Sequence, residues 1–225
     1  MCGICGVVAT DERTAHEYDL ARFVRPMMAA MHHRGPDEGG HLDASGIALG
    51  MRRLSIVDRE TSSQPMYNED RTIAVVTNGE IYNFAALRRE LIAEGHHFRS
   101  RGDTETIVHA YEQWGDAFLT HLRGMFALAV YDAPRRRLVL GRDRLGIKPL
   151  YYSRVNGHLV FASEVRALLA SGLVARELSR EGLESYLLFG SVSEPATLIE
   201  GVRSLPPGHE LHISLEMTSV EPRPY

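Results

Sequence analysis

Cysteine is scarce in this chain, with only Cys2 and Cys5 among 225 residues. Lysine is scarcer still. Of the 25 basic residues only Lys148 is a lysine, and Pro149 follows it where a P-loop requires Ser or Thr, which excludes a Walker-type phosphate site. No stretch approaches the ~20 consecutive apolar residues of a membrane span, and no charged n-region with an apolar h-region opens the chain. The sequence therefore predicts a soluble, cytoplasmic protein with no membrane partner. A formal net charge of −4 supplies no basic field of the kind that displaces counterions from phosphates, so nucleic acid is not expected as a partner either. Low-complexity linkers and internal repeats are also missing, and the longest like-charge block is Arg135-Arg136-Arg137. What is present, 44% hydrophobic content over this length, suffices for one large core.

Periodicity sets out the elements. Residues 4–9 read as a buried strand, and Leu20, Phe23, Val24, Met27, Met28 and Met31 share one face of a helix, with Pro26 inside it. TIAVVT at 72–77 is strand-like, and the polar NGEIYN that follows reads as a tight stretch before a helix carrying Leu87, Leu91 and Ile92 and ending at Gly95. Asp103 is placed to cap a helix over TETIVHAYEQW. Residues 125–162 alternate strands and turns as a meander, with Asn156-Gly157 as a hairpin signal. Helices at about 163–170 and 179–189 and a strand at HELHISL complete the chain. Hairpins rather than regular βαβ alternation predict an α+β layered sandwich, not a doubly wound sheet.

The opening MCGICG admits three readings. A redox CxxC sits at a helix start after a strand, and no strand can precede Cys2 here. A zinc site needs two more ligands, and His32-His33 and His96-His97 are adjacent pairs that only tertiary contacts could recruit. In the third reading, removal of Met1 makes Cys2 the N-terminal residue, so that one residue carries both a thiol nucleophile and an α-amine base of pKa near ~7.7–8.0. Cys5 is then a small buried core residue.

Further motifs converge with that third reading: HRGPDEGG at 33–40, RLSIVD at 53–58, QPM at 64–66, NGEIYN at 78–83, RGDTE at 101–105, LRGMFALAVYD at 122–132, RDRLGIKPLYY at 142–152, FASE at 161–164 and SLPPGHEL at 204–211. In this order the chain resembles the class II glutamine amidotransferases, of the N-terminal nucleophile hydrolases, and most closely the glutaminase domain of glutamine-hydrolysing asparagine synthetases. The resemblance covers essentially all of residues 1–225 and implies a four-layer αββα sandwich.

It also implies roles. Cys2 would attack the glutamine carboxamide, with the Asn78 side chain and the Gly79 N–H as oxyanion donors. Arg53 would pair with the substrate carboxylate, Ile56 and Val57 would hold the amino acid through their backbones, and Glu80 and Asp103 would face its ammonium group. Arg53 and Asn78-Gly79 have plainer alternatives, a surface arginine beside Arg52 and a hairpin turn, whereas Asp103 is expected to serve both as helix cap and as ligand contact. Arg34 and Lys148 match recurrent family positions without a defined role. No metal or cofactor is implied in this domain, because ATP and magnesium belong to a synthetase half marked by an SGG-x-DS loop, and no such loop occurs here. The expectation is an isolated glutaminase domain that hydrolyses L-glutamine and passes ammonia to a synthetase domain or separate partner, with a homodimer allowed. The alternatives are a non-catalytic binding or scaffold domain of the same fold and the glutaminase of another amidotransferase branch.

Overall fold

The computed structural model describes residues 1–11, 14, 19–55, 62–214 and 221–225. Strand β1 (Gly3–Ala9) is buried along its whole length, which fits its unbroken run of apolar and small residues. It lies between β3 (Ile47–Arg53) and β9 (His158–Ala162), antiparallel to both. With β2 (Glu38–Ala44), β8 (Tyr151–Val155) and β10 (Val202–Ser204) these form one six-stranded sheet, in the order β10-β8-β9-β1-β3-β2. The second sheet is built from β4 (Met66–Tyr67), β5 (Ile73–Ile81), β6 (Gly124–Asp132), β7 (Arg137–Arg142), β11 (His209–Ser214) and β12 (Arg223–Pro224), in the order β12-β11-β7-β6-β5-β4.

Strand alternation then sorts side chains into layers. Ile4, Leu49 and Met51 of the first sheet meet Val76, Ala127, Ala129, Leu138 and Leu140 of the second in a core between the sheets. Cys5, Val7 and Val160 face the other way, against Val24, Met27 and Met31 of α1 (Ala21–Ala30) and its C-cap, and Leu168 of α5 (Val165–Ala170). On the far side, Val75, Phe126, Leu128 and Val130 pack against α2 (Phe84–Ala93), α3 (Thr104–Trp114) and α4 (Phe118–His121). The four layers run α, β, β, α, as the family resemblance implies. A sixth helix, α6 (Arg180–Phe189), is capped by Ser179 Oγ, which accepts from the Gly182 N–H, and ends at Gly190 in the left-handed region. Among the described residues no helix is long and apolar enough to cross a membrane.

Three sequence expectations change. The meander over 125–162 is two hairpins in two sheets: β6–β7 belongs to one and β8–β9 to the other, and the chain crosses between them at 143–150. Turn residues mark both hairpins and cannot report which sheet each joins. Asn78-Gly79 is not a turn but the interior of β5, paired with Ala127 and Phe126. The hairpin signal holds only at Asn156-Gly157, where both residues have positive φ between β8 and β9. Ile92, placed on the buried face of α2, is 51% exposed, while Leu87 and Leu91 alone bury that helix.

Candidate active site

The start of β1, the end of β3 and the end of β5 meet at one edge of the sandwich. A cavity of about 360 Å³ opens there, and Cys2, Arg53, Asn78, Gly79, Glu80 and Asp103 all line it, together with Met1, Gln64, Thr104 and Lys148. Six of the eight predicted site residues are thus brought together. Ile56 and Val57 lie outside the described residues. A second cavity of about 300 Å³, between α1 and β2–β3, gathers none of the predicted site residues.

Cys2 and Cys5 are both free thiols on different sides of β1, so the opening motif forms no redox pair. Burial pushes the Cys5 thiol far up, leaving it neutral and inert. Cys2 is half-buried, with Sγ 3.8 Å from the Leu54 carbonyl. No cluster of potential metal ligands among the described residues includes either cysteine.

Arg34, which the motifs left without a role, anchors the Cys2 backbone. Its Nε donates to the Cys2 carbonyl at 2.8 Å and its Nη1 pairs with Glu164 at 3.0 Å. Asn78, 1% exposed, completes the arrangement: in the amide orientation that its neighbours' donors and acceptors require, its Oδ1 accepts from Arg34 Nη2 at 3.2 Å and its Nδ2 donates to the Cys2 carbonyl at 3.1 Å. An amide nitrogen carries two N–H bonds, so one remains for another acceptor.

The Gly79 N–H is available for a reason that lies in strand alternation. The Thr77 N–H donates to Gln64 Oε1 at 2.7 Å and the Ile81 N–H to Asp103 Oδ2 at 2.7 Å, both away from β6. Gly79 has the same parity, β4 pairs only with Val75 and Ala74, and no described residue takes the Gly79 N–H. It points at the open edge between two amides that are already satisfied. A Cβ at this position would stand 2.1 Å from the Met125 carbonyl oxygen, so only glycine fits.

The electrostatic groups are sorted in the same way. Arg52 and Arg53 alternate on β3: Arg52 is half-buried and bonds the carbonyls of Gly35 and Pro36, whereas Arg53 is 4% exposed, faces the cavity and pairs with Glu38 at 3.0 Å. The surface-arginine alternative therefore fails for Arg53. Asp103 precedes α3 but makes no side-chain cap, because its carboxylate accepts from Ile81 instead. Burial pushes the Asp103 carboxyl above its ordinary pKa, and the neighbouring Glu80 adds to the shift against the pull of the Ile81 N–H. Lys148, the only lysine, is 8% exposed at the cavity wall.

The fold and site are those of a four-layer sandwich with a thiol at the mouth of its first strand, facing a cavity between the two sheets' edges. A family model described as a glutamine amidotransferase domain matches residues 1–225, and the chain belongs to that family. Asparagine synthetase [glutamine-hydrolyzing] 1 of Bacillus subtilis is 38% identical over 213 residues, covering 95% of this chain and 33% of that protein. A putative asparagine synthetase [glutamine-hydrolyzing] of Mycobacterium tuberculosis is 39% identical over 224 residues, covering 92% and 34%. The chain thus spans about a third of the length of these curated relatives. Among solved structures, glutamine phosphoribosylpyrophosphate amidotransferase from B. subtilis superposes with a TM-score of 0.70 at 18% identity over 99% of this chain and 49% of that one, a likeness of fold.

Proposed function

We propose that residues 1–225 form a glutaminase unit in which Cys2, exposed as the N-terminal residue by removal of Met1, hydrolyses L-glutamine to glutamate and ammonia. Met1 is 63% exposed at the cavity and within reach of processing. The observation that carries the proposal is the meeting of Cys2, Arg53, Asn78, Gly79, Glu80 and Asp103 around one cavity. Its acidic and basic groups suit a free amino acid: Arg53 takes the α-carboxylate as a planar, permanently charged donor, and Glu80 with Asp103 faces the α-ammonium.

The freed α-amine accepts the thiol proton, and the sulfur adds to the carboxamide carbon. The developing oxyanion is held between the spare Asn78 N–H and the Gly79 N–H. Collapse of the adduct breaks the C–N bond, the α-ammonium returns the proton to the departing ammonia, and a glutamyl thioester remains. Water then attacks the thioester, and glutamate leaves as the Cys2 thiol is restored.

The relatives' names point to asparagine as the destination of the nitrogen, and we assign the acceptor to a synthetase region, covalent or separate, that would use ATP and magnesium. The setting is the cytoplasm. The test is mass spectrometry of the intact protein before and after incubation with a glutamine analogue that alkylates its nucleophile, alongside an assay of glutamate formation. Loss of Met1, a single adduct mapped to Cys2 and no turnover in Cys2→Ala are expected. Undiminished glutamine hydrolysis in Cys2→Ala would overturn the assignment.

A further inference from the structure

Away from the cavity, three side chains converge on the helical face of the second sheet. His109 and Glu112 stand three residues apart on α3, and His96 comes from the loop that follows α2. One potential ligand atom from each lies within 4.8 Å of the others. The Nδ1 atoms of His96 and His109 face the same carboxylate oxygen, Glu112 Oε2, at 3.6 and 2.8 Å. Ligands about 2.0–2.1 Å from a tetrahedral zinc stand roughly 3.3–3.4 Å from one another, and the two separations bracket that span.

The outward-facing atoms of His96 and Glu112 have hydrogen-bond partners of the kind that orient metal ligands. His96 Nε2 lies 3.0 Å from Gln113 Oε1, which leaves Nδ1 as the lone-pair nitrogen when Nε2 carries the proton. Glu112 Oε1 accepts from Asn68 Nδ2 at 2.8 Å, fixing Oε2 inward. His109 is 1% exposed, and its Nε2, buried without a hydrogen bond, faces Glu105 Oε1 at 3.8 Å. A carboxylate behind an imidazole is the usual arrangement around a metal-bound histidine.

We propose that His96, His109 and Glu112 bind one divalent cation of the zinc type through two Nδ1 atoms and one carboxylate oxygen, with water in the fourth position. The ion clamps the loop carrying His96 to α3, whose first turn supplies Thr104 to the cavity wall. None of its three ligands lines the cavity that contains Cys2, and the ion takes no part in glutamine chemistry. The competing occupant is a proton, donated by His109 Nδ1 to Glu112.

The test uses tag-free protein in a Cys2→Ser background, which removes the half-buried cavity thiol as a rival zinc ligand. Metal-stripped protein is titrated with Zn²⁺ against a chromophoric chelator, and its thermal unfolding is followed with and without Zn²⁺. One equivalent is expected to bind and to raise the melting temperature. His96→Ala, on a partly exposed loop and checked for folding by circular dichroism, should weaken binding tenfold or more and abolish the shift. Glu112→Gln should do the same while leaving the buried His109 in place. No stoichiometric zinc, or one equivalent bound equally well by parent and both variants, would overturn the site and leave the proton as its occupant.

Discussion

Asn78 holds two positions at once. It ties the Cys2 carbonyl to Arg34, and in the proposed reaction its remaining N–H serves an oxyanion that exists only after the thiol has attacked. Binding restricted to the transition state appears in kcat rather than KM. Asn78→Ala should therefore lower kcat for glutamine hydrolysis by roughly 10²–10³-fold, the usual cost of one oxyanion donor, with KM little changed. Steady-state kinetics on purified protein decides it, and a rise in KM alone would reassign Asn78 to ground-state binding. Behind Arg34 stands Glu164, which also bonds Arg166 at 2.6 Å and His33 at 2.9 Å. Burial alone would raise its pKa, but the hydrogen bonds from Arg34, Arg166 and His33 outweigh that effect and hold it below the ordinary 4.5. A carboxyl depressed on folding stabilises the native state above its unfolded pKa, and this contribution fades as pH falls through the folded value. Glu164→Gln should accordingly melt lower than the parent at pH 7, and the gap should narrow as pH drops below about 4.5. A gap constant with pH in calorimetry would show that packing, not charge, is what the substitution removes.

At the scale of elements, the long motif RDRLGIKPLYY acquires a structural meaning that its letters did not carry. Asp143 Oδ1 accepts from the N–H groups of Leu145 and Ile147 at 3.1 and 3.0 Å, and Oδ2 from those of Lys148 and Phe126 at 3.0 and 3.2 Å. One buried carboxylate thus folds the crossing from β7 to β8 and delivers Lys148 to the cavity. Arg142 fastens the same loop through the carbonyls of Gly146 and Lys148 and reaches Glu194, Ser204 and Leu205 on the other side. Asp143→Ala would leave several N–H groups without their acceptor, and we expect a loss of about 2–4 kcal/mol in denaturant unfolding. A loss below about 1 kcal/mol would mean that water replaces the carboxylate. Such loops explain where the sequence was legible and where it was not. Apolar runs located β1, β5 and β6 because each needs one residue type per face. The Asn-Gly pair was ambiguous because the letters that make a turn at 156–157 also suit a crowded strand at 78–79, where Met125 and Phe126 exclude a side chain. Asp103 looked like a cap because caps are local, whereas its actual partner, Ile81, is 22 residues away. Arg34 had no local signal at all, since Cys2 and Glu164 reach it only when the distant strands of the first sheet assemble, and Asn78 only once the second sheet is stacked on the first.

That stacking is the molecule-wide condition on the site. Cys2, Arg34 and Arg53 belong to the first sheet and the segments that flank it, whereas Asn78, Gly79, Glu80 and Asp103 belong to the second sheet and its helix. Among the described residues no backbone ladder joins the halves, so their separation is set by the side chains between the sheets. Close-packed interiors transmit the loss of a few atoms as a shift or a cavity. Met51, fully buried in this inner layer and two residues before Arg53, lies where such a shift reaches the site directly. Leu91 is equally buried, but between α2 and the outer face of the second sheet. Met51→Ala and Leu91→Ala should each cost about 2–5 kcal/mol, and the melting temperature should fall by roughly 2–4 °C per kcal/mol lost. Measured well below both transitions, kcat/KM for glutamine should drop in Met51→Ala and hold in Leu91→Ala. Misplacing reacting groups by a fraction of an ångström slows the chemistry, whereas loosening an outer helix leaves the two halves in register. If both variants lost activity in proportion to stability, the site would depend on the fold as a whole and not on the inner layer that separates its halves.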